Sequence, residues 1–186
     1  RAGQPAVLRP GPGGDAMSDD AHGCDETHDG EAASPPLTRA ETLVLWGIRA
    51  WVTGHRHDIP VMPNLRTAFR AEGAPAAAEA MDDLMGFIGR GAGRTIRVNC
   101  PRCRHVTEDE RLLLDVVALH QQGETMWAPF LIRAILTPVA TRLCGPLFAA
   151  LAEALSDGGI LLPAVAGQAP PPDIAAHAIP AGSTIH

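Results

Sequence analysis

The chain has 186 residues, 46% of them hydrophobic, no lysine, and a formal net charge of −6. That is long enough for one domain with a buried core, and too apolar for a chain that is unfolded throughout. Residues 1–37 carry two arginines against seven acids, whereas residues 38–163 carry thirteen of each; the folding part is nearly neutral and lacks the clustered cations that displace counterions from nucleic acid.

Residues 1–37 are rich in Gly, Pro, Asp and Glu, and residues 164–186 alternate Ala, Pro and Gly. Neither stretch buries enough apolar surface to offset its ordering entropy, so both are expected to be flexible tails. Residues 1–16 read as a fragment end or an over-extended start ahead of Met17. No apolar run of about 18 residues is present to span a bilayer, and the N-terminus lacks the basic and apolar regions of a secretory signal. A cytoplasmic location is the expectation, and thiols stay reduced there.

Between residues 38 and 163 the apolar period is helical. Thr38 and Glu41 form a capping box ahead of Leu43, Val44, Ile48, Trp51 and Val52, a stripe at spacings of three and four that ends near Gly54. Asn64 is the expected cap of a short helix carrying Leu65, Ala68 and Phe69 and stopping at Gly73. Pro75 suits the first turn of a third helix with Ala77, Met81, Leu84 and Ile88 on one face, closed by Gly89, Gly91 and Gly93. RTIRVN is one short strand or an extended lead-in to the cysteine turn that follows. Thr107 and Glu110 form a second capping box, opening a helix with Leu113, Val116, Val117 and His120 on one side. Thr125 is the expected cap of a helix through Trp127, Phe130, Leu131 and Ile135, and Thr137-Pro138 starts another. The last apolar line is Cys144, Leu147, Phe148, Leu151 and Leu155; a break at Gly145-Pro146 relieves the clash a proline ring makes with the carbonyl four residues back, a cost of ~3 kcal/mol. The expected fold is therefore all-α, a single domain of about six short helices with at most one short strand.

One run looks chosen for chemistry: VNCPRCRHVTEDE, from Val98 to Glu110. Cys100 and Cys103 stand at C-x2-C spacing, which lets two thiolates approach one ion at ~2.3 Å. In a reducing compartment such a pair points to metal binding or redox chemistry before a structural disulfide. CPRC resembles the cysteine knuckles of zinc ribbons and rubredoxins over those four residues; those families bring a second C-x2-C, which this chain lacks. Zinc or an iron–sulfur cluster would need further ligands. His105 either bends back to the same ion or is a solvated turn residue. Cys144 is either a core thiol or a ligand, activated by the helix start that follows it. The proposed metal set is Cys100, Cys103, His105 and Cys144. His120 reads first as a boundary histidine, and His55, His57 and Asp58 as a solvated loop. His22, Cys24 and His28 could hold an ion only by ordering the tail.

Enzyme signatures are missing. There is no G-x-S-x-G, no phosphate loop ending in G-K-[ST], and no H-E-x-x-H. GRGAGR follows a helix where the dinucleotide pattern needs a strand, and CPRC lies ahead of the Thr107 helix start, where thioredoxin-like chemistry needs a cysteine at the start itself. A helix-turn-helix across the Asn64 and Pro75 helices would need a basic recognition helix, and Glu79, Asp82 and Asp83 make this one acidic. The first functional expectation is a small metal-binding protein with a structural, sensing or regulatory role. The alternative is a metal-free helical module that binds a protein partner or a second copy through the Met and aromatic residues of VMPNL, TMWAPF and LMGFI.

Overall fold

The computed structural model describes residues 36–165, and seven helices occupy most of that span: α1 (Arg39–His57), α2 (Met62–Ala71), α3 (Ala77–Gly91), α4 (Glu108–Gln121), α5 (Ala128–Ile132), α6 (Pro138–Leu143) and α7 (Gly145–Asp157). The two segments read as tails lie, but for their innermost residues, outside this range. Among the described residues no helix is long and apolar enough to cross a membrane.

The helices form where local chemistry favours them. Both capping boxes are complete: Glu41 N–H donates to the Thr38 hydroxyl at 3.2 Å and Thr38 N–H to the Glu41 carboxylate at 2.8 Å. The Thr107 and Glu110 pair repeats this at 3.1 and 2.9 Å. Thr137 caps α6 by accepting from Ala140 N–H, with Pro138 in the first turn. The break at Cys144 makes α6 and α7 separate helices, because Pro146 is tolerated only within the first turn of the second.

The core gathers on α7, whose Phe148, Leu151 and Leu155 are fully buried between α3 and α4. Met81, Leu84, Met85 and Ile88 of α3 and Leu113, Val116 and Val117 of α4 are buried in the same core. Removing one such Leu or Phe from water is worth roughly 2–3 kcal/mol, so this three-helix contact dominates the apolar stabilisation. α2 packs on α3, α1 lies across α3 and α4, and α5 lies on α4.

Two expected details change, and one left open is decided. Asn64 is not a cap: α2 begins two residues earlier, at Met62, with Pro63 in its first turn and no side-chain cap. Thr125 is not a cap either, since α5 is a single turn starting at Ala128 with Pro129 in that turn. RTIRVN is the extended lead-in and not a strand of the described residues. Ile96 and Val98 are buried, but the backbone N–H groups of Arg97 and Asn99 find carboxylates, not a neighbouring strand: Asp109 at 2.7 Å and Glu110 at 2.9 Å. The first turn of α4 thus does for this segment what a strand partner would do.

Candidate cysteine-turn site

The C-x2-C run lies on the connection between α3 and α4. Cys103 N–H donates to the Cys100 carbonyl at 3.1 Å, so CPRC is a tight turn with one cysteine at each end. Cys100 is exposed and Cys103 half-buried. Beneath the turn lies Arg49 of α1, 4% exposed, paired with Glu110 of α4, 0% exposed. The guanidinium grips the carboxylate as a fork, Nε to Oε1 at 2.7 Å and the second terminal nitrogen to Oε2 at 2.8 Å. Its other N–H groups reach the Cys103 and His105 carbonyls, each at 2.6 Å. The Asn99 amide donates to the same His105 carbonyl at 3.0 Å, and the Thr107 hydroxyl to the Arg97 carbonyl at 2.7 Å.

This arrangement fixes the turn from inside the protein. An irregular loop normally satisfies its carbonyls with water and moves accordingly. Here two of them are tied to a buried cation whose charge is matched by a buried anion, and such charge-assisted bonds are about twice as strong as neutral ones. The same carboxylate also accepts from the Asn99 and Thr107 backbone N–H groups. Arg49, Glu110 and Asn99 therefore hold the turn, while the two thiols make no hydrogen bond among the described residues. Around them Arg102, Arg104 and His105 are exposed, and neither arginine forms an ion pair among the described residues.

The other candidate ligands are placed elsewhere. Cys144 is buried at the junction of α6 and α7, where its thiol donates to the Thr141 carbonyl at 3.3 Å. It lines a largely apolar cavity of about 240 Å³ whose walls include His120, Ile132, Thr141, Phe148 and Ala149, with no residue of the cysteine turn among them. The helix start was expected to favour the thiolate; burial instead pushes the Cys144 thiol up. His120 accounts for itself: Nδ1 lies 2.8 Å from the Val116 carbonyl and the ring stacks on Phe148. His55 is stacked on Trp51 with ring centroids 3.6 Å apart, and Asp58 closes α1 in the left-handed conformation. His22, Cys24 and His28 lie outside the described residues. Among the described residues no three of His, Cys, Asp and Glu are grouped so as to hold a metal ion, so the set of Cys100, Cys103, His105 and Cys144 does not converge on one point.

GRGAGR has no phosphate cradle. Gly91 ends α3, its carbonyl accepts from Thr137 N–H at 2.9 Å, and Gly93 N–H donates to the Ile135 carbonyl at 2.8 Å.

No protein family, curated protein or solved structure matches this chain. The chemistry of the turn is thus read from its own residues. Sequence reasoning treated Glu110 as a cap alone and passed over Arg49. The signal was available: Leu45, Ile48, Arg49 and Val52 fall at i, i+3, i+4 and i+7, which puts an arginine on the buried face of α1.

Proposed function

We propose that this chain is a small helical metal-binding protein in which Cys100 and Cys103 hold zinc or an iron–sulfur centre for a structural, sensing or regulatory role. The observation that carries the reading is the fixing of the Cys103 and His105 carbonyls by the buried Arg49–Glu110 pair. A thiolate pair binds an ion most tightly when little order is lost on binding, and a turn already held by charged hydrogen bonds loses little. The decisive experiment is elemental analysis with visible absorption on protein purified without oxygen. Colourless protein carrying zinc indicates the structural ion, and broad visible bands with iron and sulfide indicate a cluster. Protein with neither, even after zinc is supplied, overturns the reading.

A second reading, a metal-free partner-binding module, has its own support. Of the three Met and aromatic stretches, LMGFI supplies buried Met85 and Ile88, and VMPNL packs against the core. Of the three, TMWAPF alone exposes large apolar side chains, Met126 at 70% and Phe130 at 39%. Val139 and Leu143, four residues apart on α6, are exposed on a neighbouring element. If metal is absent, Leu143→Ser and Phe130→Ser should weaken self-association or partner capture while leaving the thermal transition within about 1 kcal/mol of wild type.

A further inference from the structure

The turn supplies two sulfurs, and a closed tetrahedral thiolate site needs four. Among the described residues no third ligand joins Cys100 and Cys103, and Cys144 is occupied with Thr141 inside the fold. Nor is the turn free to fold inward in search of one, since Arg49 holds its carbonyls. We infer that a second copy of this chain completes the metal centre, one ion lying between the Cys100–Cys103 turns of two molecules. This rests on the metal-binding reading above and says what closes that site.

Three features of the turn suit such a centre. It stands at the surface, with Cys100, Arg102, Arg104 and His105 all exposed. A twofold axis through the ion needs one patch that complements itself, and an ion taking the same two sulfurs from each molecule meets that condition. Charge makes the pairing depend on the metal. Two bare turns bring four arginine cations together and repel, whereas four thiols that release their protons to solvent and bind a divalent ion leave a centre of net charge −2. Arg102 and Arg104 of the two molecules then surround an anion, so the residues that oppose metal-free contact support the loaded one. A single turn binding the ion alone would leave two coordination positions to water.

The test is zinc titration of the full chain under reducing conditions, read by native mass spectrometry and sedimentation. Saturation at one zinc per two chains with a doubled mass is expected, reversed by a chelator. Cobalt in place of zinc should give the intense sulfur-to-metal charge-transfer bands of four thiolates. Cys100→Ser and Cys103→Ser should abolish both metal uptake and doubling with helical content retained, whereas His105→Ala, Cys144→Ala and Cys24→Ser should retain both. One zinc per chain in a monomer, or no zinc uptake by protein that carries an iron–sulfur centre, overturns this inference and leaves the metal-binding reading standing; no zinc uptake by protein that also lacks iron and sulfide overturns both. A dimer that persists without metal, or metal lost in Cys24→Ser, also overturns it. Should the Cys100 and Cys103 variants fail to fold, the chelator reversal and cobalt spectrum of the wild-type chain decide the question.

Discussion

Arg49 and Glu110 are buried charges with no polar atom left over: among the described residues no buried side-chain nitrogen or oxygen lacks a partner. Such a pair contributes little net stability relative to an apolar substitute but is costly to break, because the survivor remains buried and unmatched. Arg49→Met should lower unfolding free energy by about 3–5 kcal/mol in urea, and combining it with Glu110→Gln should cost less than the sum of the two. A loss below about 1 kcal/mol would mean that the pair behaves like an exposed one. Thiol reactivity should follow burial: of the three cysteines among the described residues, mass spectrometry of alkylated peptides at neutral pH is expected to find Cys100 modified first and Cys144 last, since burial raises the Cys144 thiol and only the thiolate attacks. Cys144→Ser should be mild, because a hydroxyl there inherits the Thr141 carbonyl as its acceptor. How much of this was legible differs from residue to residue. C-x2-C spacing is visible in any sequence, and Cys144 stood on an apolar line that proved to be core. The joining of Cys103, His105 and Arg49 was not visible, because it connects backbone carbonyls to a side chain more than fifty residues away, and no local pattern records that.

Elements were legible in proportion to how local their causes are. The Thr38 and Thr107 boxes and the Thr137-Pro138 start act within four residues, and all three form. Asn64 and Thr125 failed as caps because a proline just beyond or before them set the helix start, Pro63 within the first turn of α2 and Pro129 within that of α5. RTIRVN alternates like a strand, yet the Arg97 and Asn99 N–H groups go to carboxylates of α4, a tertiary choice that overrides local propensity. Gly91 shows the opposite case, where an expected helix stop has a packing reason as well. A methyl group on Gly91 would meet the Ala140 side chain at 2.6 Å, so α3 and α6 approach too closely for any side chain between them. Gly91→Ala should therefore destabilise the domain despite alanine's better helix propensity, by about 1–3 kcal/mol as an overpacking effect. Gly86→Ala, inside α3 where the nearest atom is the flexible end of the Arg90 side chain at 3.4 Å, is the control and should be neutral or stabilising in the same melting experiment.

Across the whole molecule, carboxylates pull stability in opposite directions with pH. Burial pushes Asp115 up to about 6, Arg111 opposing this and Glu41 adding to it. A raised folded pKa means a stabilising contribution that is complete below the unfolded value and lost as pH rises through about 6. Glu41 and Asp109 behave oppositely. Burial opposes their ionisation, but hydrogen bonds outweigh it: Thr38 N–H and Arg111 hold Glu41 below its usual range, and Arg94 with the Arg97 N–H does so for Asp109. Their contribution is present above the unfolded values and lost as pH falls through the folded ones. Stability should therefore peak in a mildly acidic window, roughly pH 4–6, and Asp115→Asn should flatten the decline on the alkaline side, gaining on the order of 2 kcal/mol at about pH 8. Urea midpoints across pH that decline equally in wild type and variant would refute this. At the same scale, Glu110 is shared by α4, by Arg49 of α1 and by the Asn99 and Thr107 amides, so the cysteine turn has no private way of opening. Those two amide hydrogens should exchange with solvent only as often as the entire domain unfolds. Whatever grips the thiols from outside is thereby felt in the melting temperature of every helix, and a disturbance that slides α1 loosens that grip.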